Sequence, residues 1–165
     1  LAAIEDPNPI LYFEHKYLYR SLTAPVPDGY YTTAIGKAVT LANGNKFTII
    51  IYGLGVHWAL DYIKNNPLCD VTLIDLRTLQ PWDKETVASA VKNTGRVLIL
   101  HEDTLTNGFG AEISAWIGEH CFSDLDAPIM RCASLDTAIP MSKVLEDDFL
   151  AKARLAETID KLLKY

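Results

Sequence analysis

The stretch Thr94–Ile117, TGRVLILHEDTLTNGFGAEISAWI, decides how this chain folds. Arg96 to Leu100 is a short apolar run of the kind that makes a strand buried on both faces. His101, Glu102 and Asp103 follow, where such a strand would emerge. Thr104 to Gly108 is rich in turn residues, and Asn107-Gly108 is its strongest breaker. Phe109, Ile113, Trp116 and Ile117 then recur at helical spacing and share one face. Strand, polar tip, glycine turn and helix are half of a parallel βαβ unit. Ligands of open α/β sheets gather at the carboxyl ends of the strands. The tip at His101–Asp103 is therefore the first place to look for a working edge.

The same alternation extends in both directions. Upstream, Phe47 to Tyr52 reads as a buried strand and Gly53-Leu54-Gly55 as a tight turn. A helix with Val56, Leu60 and Ile63 on its inner face ends before Pro67. Val71 to Leu76 is the next strand, and Arg77 to Trp82 a loop. Asp83 is the N-cap expected for a helix carrying Val87, Ala90 and Val91. Downstream, Ile129 to Ala133 is a fourth strand. A last helix from Ala151 to Lys164 turns Leu155, Ile159, Leu162 and Leu163 inward. Strands alternating with helices predict an α/β fold, a parallel-rich sheet covered on both faces. Before this pattern begins, Pro25 and Pro27 make Thr23 to Asp28 an extended linker. Ile10 to Phe13 is strand-like, and Glu14, His15, Lys16 and Arg20 are interleaved with Tyr17 and Tyr19. Leu1 to Glu5 looks like the end of a helix, stopped by Asp6-Pro7-Asn8-Pro9. A domain seldom starts in mid-helix, so the sequence reads as a piece of a longer one.

The chain has 165 residues, 49% hydrophobic and 22% charged, which is enough for one ordinary core and not the composition of a disordered segment. A net charge of −6 argues against nucleic acid and anionic membrane as partners. No apolar run approaches the roughly 20 residues that span a bilayer. The N-terminus lacks the basic, apolar and small-residue order of a signal peptide. Cys69, Cys121 and Cys132 are an odd number without a CxxC, so they read as three buried, reduced thiols rather than a disulfide framework or zinc knuckle.

Each candidate site has a plainer structural account. Gly53-Leu54-Gly55 invites a dinucleotide reading, with Asp75 as the acidic partner. Trp58 stands where the third glycine of G-x-G-x-x-G belongs, so a structural βα turn is the better account. Leu105 stands where H-E-x-x-H needs its second histidine. His101, Glu102 and Asp103 are then a polar strand end whose carboxylates are expected to bind N–H groups of the following turn. No G-x-S-x-G, Walker motif or Cys–His constellation is present, and no catalytic residue is assigned. Asp124, Asp126, Asp136 and the run Glu146-Asp147-Asp148 make the last third acidic. Such a rim is a solvated face or a match for a basic partner.

Longer motifs carry a resemblance. Asp6-Pro7-Asn8-Pro9, Phe13-Glu14-His15-Lys16, Leu18-Tyr19-Arg20, Ile74-Asp75-Leu76-Arg77-Thr78 and Pro81-Trp82-Asp83 run in order. His101-Glu102, Asn107 through Ile113, Leu125-Asp126-Ala127-Pro128, Asp136-Thr137 and Pro140 continue them. Together they resemble the beta subunit of the decarboxylating component of 2-oxo acid dehydrogenase complexes. Phe13-Glu14-His15-Lys16 and the terminal Lys164-Tyr165 favour the branched-chain (2-oxoisovalerate) type over the pyruvate type. The resemblance implies a three-layer α/β/α transketolase C-terminal-like domain over residues 46–165, with a mostly parallel five-strand sheet and one antiparallel edge strand. Part of that edge would come from Ala34 to Val39 or from the Phe47 strand. Residues 1–20 would be the tail of a thiamin-binding pyrimidine domain, and residues 21–45 a linker and edge segment. Thiamin diphosphate and Mg²⁺ would serve the whole enzyme, with none expected on this chain alone.

The implied partners are the alpha subunit, a second beta subunit and the small basic subunit-binding domain of the dihydrolipoyl acyltransferase core. The implied setting is the bacterial cytoplasm or the mitochondrial matrix. By its motif, Asp126 is the residue expected to meet a basic side chain of that docking domain. The carboxylate of Tyr165 is the second candidate. Two departures matter. Asn107 replaces a glycine in the family's turn, where Asn tolerates a left-handed conformation. Phe149-Leu150-Ala151 replaces a Leu-Pro before the last helix. The alternatives are a transketolase or deoxyxylulose-phosphate synthase C-terminal domain, and a free-standing module that binds a small ligand at the glycine turn or the His101 tip.

Overall fold

Five strands and seven helices account for the regular structure in a computed structural model that describes residues 1–165. In chain order these are α1 (Ala2–Glu5), α2 (Leu18–Ser21), β1 (Val39–Ala42), β2 (Phe47–Ile51), α3 (Gly55–Asn65), β3 (Val71–Asp75), α4 (Lys84–Thr94), β4 (Val97–Thr104), α5 (Gly110–His120), β5 (Met130–Ser134), α6 (Lys143–Phe149) and α7 (Leu155–Leu162). The sheet order is β1-β3-β2-β4-β5. Only β1 is antiparallel to its neighbour; the other pairings are parallel.

The period of two along each strand sorts side chains into two cores. Ile49, Ile51, Leu73, Leu98 and Leu100 pack with Val56 and Ala59 of α3 and with Leu155 and Ile159 of α7. Ile50, Ile74, Val97 and Ile99 pack with Val87 and Val91 of α4 and with Ile113 and Ile117 of α5. Each fully buried Ile or Leu contributes about 1.5–3 kcal/mol. Two faces filled in this way make the expected three-layer α/β/α sandwich. The chain leaves β2 for β3 on one side, then crosses back over β2 to reach β4. Crossovers of one hand running in opposite directions put α3 and α4 on opposite faces. They also leave a crevice between β2 and β4 at their carboxyl ends.

Local chemistry fixes the helix ends. The Asp83 carboxylate accepts the Thr86 N–H at 3.2 Å as N-cap of α4, and also accepts the Ala38 N–H at 3.1 Å just before β1. One buried side chain thus starts a helix and ties down the sheet edge. Gly95 ends α4 at φ +64, a left-handed conformation that costs glycine little. The Arg154 guanidinium donates to the carbonyls of Asp148, Ala133 and Phe149, closing the end of α6 against β5.

Several expectations are corrected. The antiparallel edge is Val39–Ala42, sharing only Val39 with the expected Ala34–Val39 segment. The Phe47 strand is central, as five successive buried residues require. The strand after Arg96 runs on to Thr104, so His101–Asp103 lie within it. Ile10–Phe13 forms no strand and is exposed. On α3, Val56 is buried and Ile63 packs against the core, as expected, but Leu60 is exposed and Trp58 and Ala59 are buried instead. Leu163 is exposed because α7 follows a 3₁₀ turn at Ala151–Arg154, and Leu162 takes the last inward position. Cys121 and Cys132 are buried but Cys69 is half-exposed, at the loop after α3; all three are unpaired.

Candidate functional site

The crevice at the carboxyl ends of β2 and β4 is the switch point where open α/β sheets hold ligands. β2 runs into Tyr52-Gly53-Leu54, and β4 supplies His101, Glu102 and Asp103. The Tyr52 hydroxyl donates to the Asp103 carboxylate at 2.9 Å. Burial and the neighbouring Asp103 hold the Tyr52 phenol far above its ordinary range, so it remains a proton donor. The Tyr52 ring lies parallel to the His101 imidazole, centroids 6.3 Å apart, and meets the Phe109 edge at 6.4 Å.

His101 is completely buried, and neither ring nitrogen finds a protein hydrogen-bond partner. Its nearest carboxylate oxygen, on Asp103, is 4.0 Å from Nδ1. Burial pushes its pKa down, Asp103 opposes that and Arg131 adds to it, so the ring is held neutral. The glycines of the following turn exist for this ring. A Cβ at Gly108 would sit 2.6 Å from its Cε1, and one at Gly110 would sit 2.4 Å from its Nε2. Asn107 between β4 and Gly108 has φ +63, so the turn keeps its left-handed residue, as expected.

Residues 12–22 lie across the crevice. His15 Nε2 is 2.9 Å from Glu102 Oε2, and the Tyr19 hydroxyl donates to Glu14. The resulting cleft has a volume of about 630 Å³. Tyr12, Phe13, Leu18 and Tyr19 line one side, and Tyr52, Leu54, Glu102 and Asp103 the other. The carboxylates therefore do not bind N–H groups of the turn after β4, as expected from the sequence. Asp136 does that, accepting from the Thr106 N–H and hydroxyl, both at 2.8 Å. Glu102 is instead taken up by His15, and Asp103 by the Tyr52 hydroxyl. The His15–Glu102 pair joins residues 87 apart and left no local signal. Only the interleaving of charges and tyrosines around His15 hinted that this segment was more than a linker.

Carboxylates, tyrosine rings and one imidazole line the cleft, without serine, threonine or cysteine. No group of three His, Cys, Asp or Glu side chains is arranged to hold a metal ion. The cleft also does not fit a diphosphate. Its charged groups are Glu14, Glu102 and Asp103 against His15, and no lysine or arginine lines it. Trp58 is buried within the α3 face of the core, and the Asp75 carboxylate accepts the Arg77 N–H at 3.1 Å; both have structural roles.

The two residues expected to meet a partner lie at the other end of the sheet. The Asp126 N–H donates to the Gly95 carbonyl at 2.7 Å, just before β4. Its carboxylate is 66% exposed and 3.9 Å from the Arg96 guanidinium. Tyr165 is exposed and shares a shallow hollow with Met130, Lys161 and Lys164, beside the first residue of β5. Asp126 and Tyr165 are thus both placed near the start of β4 and β5. The structure does not bring them to the cleft.

Residues 36–154 match the family described as transketolase, C-terminal domain. The chain is 40% identical over 166 residues to the pyruvate dehydrogenase E1 component subunit beta of Mycoplasma pneumoniae, covering 99% of this chain and 51% of that protein. It is 39% identical over 170 residues to the mitochondrial 2-oxoisovalerate dehydrogenase subunit beta 2 of Arabidopsis thaliana, covering 100% of this chain and 46% of that protein. The Bacillus subtilis 2-oxoisovalerate dehydrogenase subunit beta is 41% identical over 152 residues, 90% of this chain and 46% of its own length. The chain spans about half the length of these relatives, and both substrate types match equally well. Among solved structures, an inactive beta4 tetramer of a split-gene transketolase superposes with a TM-score of 0.68 at 20% identity, over 87% of this chain and 46% of that one, a likeness of fold.

Proposed function

This chain belongs to the transketolase C-terminal domain family, and on that premise we propose that it is the assembly and docking part of a thiamin diphosphate-dependent 2-oxo acid dehydrogenase beta subunit. The whole enzyme would decarboxylate a branched-chain 2-oxo acid or pyruvate and pass the acyl group to a lipoyl arm, in a bacterial cytoplasm or a mitochondrial matrix. The observation that carries this reading is that beta subunits of such dehydrogenases align with 99–100% of the chain, through the β4–turn–α5 stretch and beyond it. Residues 1–20 then belong to a preceding thiamin-binding domain and residues 21–45 to the linker and edge. The cofactor and Mg²⁺ would be held elsewhere in the enzyme, and this chain's residues contribute packing and contact.

The partners are the alpha subunit, a second beta subunit and the basic subunit-binding domain of the acyltransferase core. Asp126 is the lead contact for that domain, and Tyr165 the second. The exposed Asp126 carboxylate is free to turn from Arg96 to a partner's cation, because a surface pair at 3.9 Å holds it only weakly. Complementary charge would speed encounter and select the partner. The test is a titration of the chain with the subunit-binding domain at low and high salt, with oligomeric state followed by light scattering. Salt-sensitive binding that Asp126→Ala weakens, with an unchanged melting temperature, is the expected result. A desolvated contact would lose about 2–5 kcal/mol on removal of one charge, and a rim contact much less. A chain that dimerises but does not bind would sink the docking role, and binding indifferent to Asp126→Ala would sink the part given to Asp126.

A further inference from the structure

One side chain at the carboxyl end of β4 is out of keeping with its surroundings. His101 is completely buried, yet neither ring nitrogen has a protein hydrogen-bond partner. Buried polar groups left in that state are few and costly. We propose that His101 is an acid-sensitive latch on the turn between β4 and α5: the turn closes over the neutral ring, and protonation of the ring draws Asp103 away from Tyr52 and opens the turn.

The ring is fixed where it stands. Gly108 and Gly110 lie so close that a Cβ on the first would be 2.6 Å from Cε1 and one on the second 2.4 Å from Nε2, and Ile99 packs beside Gly110. A charged imidazole has two N–H donors and needs an acceptor for each. The surroundings offer one. Asp103 Oδ2 is 4.0 Å from Nδ1, too far for a hydrogen bond, and the same oxygen accepts the Tyr52 hydroxyl at 2.9 Å. To serve the ring, that carboxylate must approach by about 1 Å, at the expense of Tyr52. Nε2 lies against Gly110, the first residue of α5, where the free N–H groups of a helix start repel a cation. The turn is also fastened by a group that the new charge would disturb. The Arg131 guanidinium on β5 donates to the Leu105 carbonyl at 2.8 Å, and its positive charge already acts against a proton on His101. The groups that face the ring are thus Asp103 on β4, Arg131 on β5 and the Tyr52 phenol after β2, which stays protonated; the turn and α5 present glycines. Strand and ring are packed on all sides, whereas Leu105–Asn107 is exposed, so the turn is the part that yields.

The experiment is amide hydrogen exchange of the 165-residue chain, followed by NMR between about pH 7.5 and 5 and corrected for intrinsic rates. The N–H groups of Leu105, Thr106 and Ala111 are hydrogen-bonded and report on the turn. Asp136, the acceptor for Thr106, is held below the usual carboxylate range by these bonds and stays ionised throughout. Protection at the three amides should be constant above about pH 7 and fall by up to about tenfold per pH unit below about 6.5, while Ile49 and Ile50 in β2 keep theirs. His101→Gln, neutral at every pH, should abolish the fall. His15→Gln, which removes the other imidazole near β4, should leave it in place. If His101→Gln does not fold by circular dichroism, Tyr52→Phe carries the test: it frees Asp103 for the ring and should make the fall shallower. The proposal is overturned if protection of the turn does not change with pH, or if it falls as steeply in His101→Gln or Tyr52→Phe. It is equally overturned if His15→Gln abolishes the fall, or if β2 loses protection in step with the turn.

Discussion

Gly110→Ala isolates the packing that shapes the turn after β4. Gly110 opens α5 with an ordinary helical φ, so its backbone accepts alanine. The obstacle is space. The added Cβ would lie 2.4 Å from His101 Cδ2 and Nε2, and 3.1 Å from Ile99 Cγ2. His101 is completely buried and cannot swing away. Forcing a methyl into a filled core costs about 1–3 kcal/mol. Alanine in a helix returns at most about 1 kcal/mol over glycine, and less in a first turn. The net loss is then about 1–2 kcal/mol, or a fall of about 2–8 °C in melting temperature for a chain of this size. The discriminating step is to repeat the substitution in a His101→Ala background. The ring is gone there, Ile99 at 3.1 Å is the remaining neighbour, and the penalty should shrink towards zero. Gly108→Ala should behave differently. Its Cβ would also meet the Thr104 carbonyl oxygen at 2.4 Å, a backbone atom that His101→Ala does not remove. Its cost should persist in both backgrounds. Urea unfolding of the four combinations for each glycine supplies the coupling energies. A Gly110→Ala chain as stable as its parent, or one equally destabilised with and without the imidazole, would refute this account of the turn.

Other expectations follow from the same geometry. His101 has its folded pKa below its unfolded value near 6.5, chiefly through burial, so the unfolded chain takes the proton first. Its contribution to stability is complete above about pH 7 and is lost as pH falls below about 6.5, with a slope of at most about 1.4 kcal/mol per pH unit. His101→Gln should flatten unfolding curves in that window; an unaltered slope would mean that another group titrates there. Asp75, raised by burial, has the opposite sign: its contribution falls as pH rises through its folded pKa. Asp83→Ala removes the α4 cap and the acceptor of the Ala38 N–H together, so it should cost about 2 kcal/mol, the upper end for a cap. Hydrogen exchange at Ala38 and in β1 should rise with it, and protection there unchanged from the parent would show that the edge is held by something else. Glu102→Gln should leave docking as it is, and a weakened titration would contradict the separation of the two ends of the sheet.

What was legible in the sequence was what period and breakers encode. The runs FTIII, VTLID and VLIL are buried on both faces, and no helix would need so many apolar residues in a row. Asp83, Val87, Ala90 and Val91 announced α4 because cap and stripe agree. The edge strand was less legible. Val39–Ala42 alternates poorly and is half-exposed, as an edge with one paired side allows, so it resembles the loop around it. On α3, Val56 and Ile63 were read correctly, but Trp58, taken as an obstacle to a nucleotide turn, is itself a core residue. The cleft was half legible. The glycine turn and His101–Asp103 marked its floor, but its other wall comes from residues 12–22, distant in sequence and without regular structure except α2. The roles of Glu102 and Asp103 could not be read locally, because their partners His15 and Tyr52 are supplied by the fold.

The two ends of the sheet can carry separate tasks because β4 holds them apart. Asp126 is anchored at Gly95, and Glu102 lies seven residues further along the same extended segment. At about 3.3 Å per residue that is about 23 Å. Charges at physiological ionic strength are screened over about 8 Å, so a charge gained or lost at one end does not alter the field at the other. Mechanical coupling would need an element with two packings, and β4 between Val97 and His101 is the most fully buried part of the sheet, filled on both faces. A core packed in that way transmits load but offers no alternative arrangement. Residues 12–22 are tied to β4 by the half-exposed His15–Glu102 pair. Any influence on assembly must therefore travel through residues 1–22, along the exposed segment, and not through the sheet.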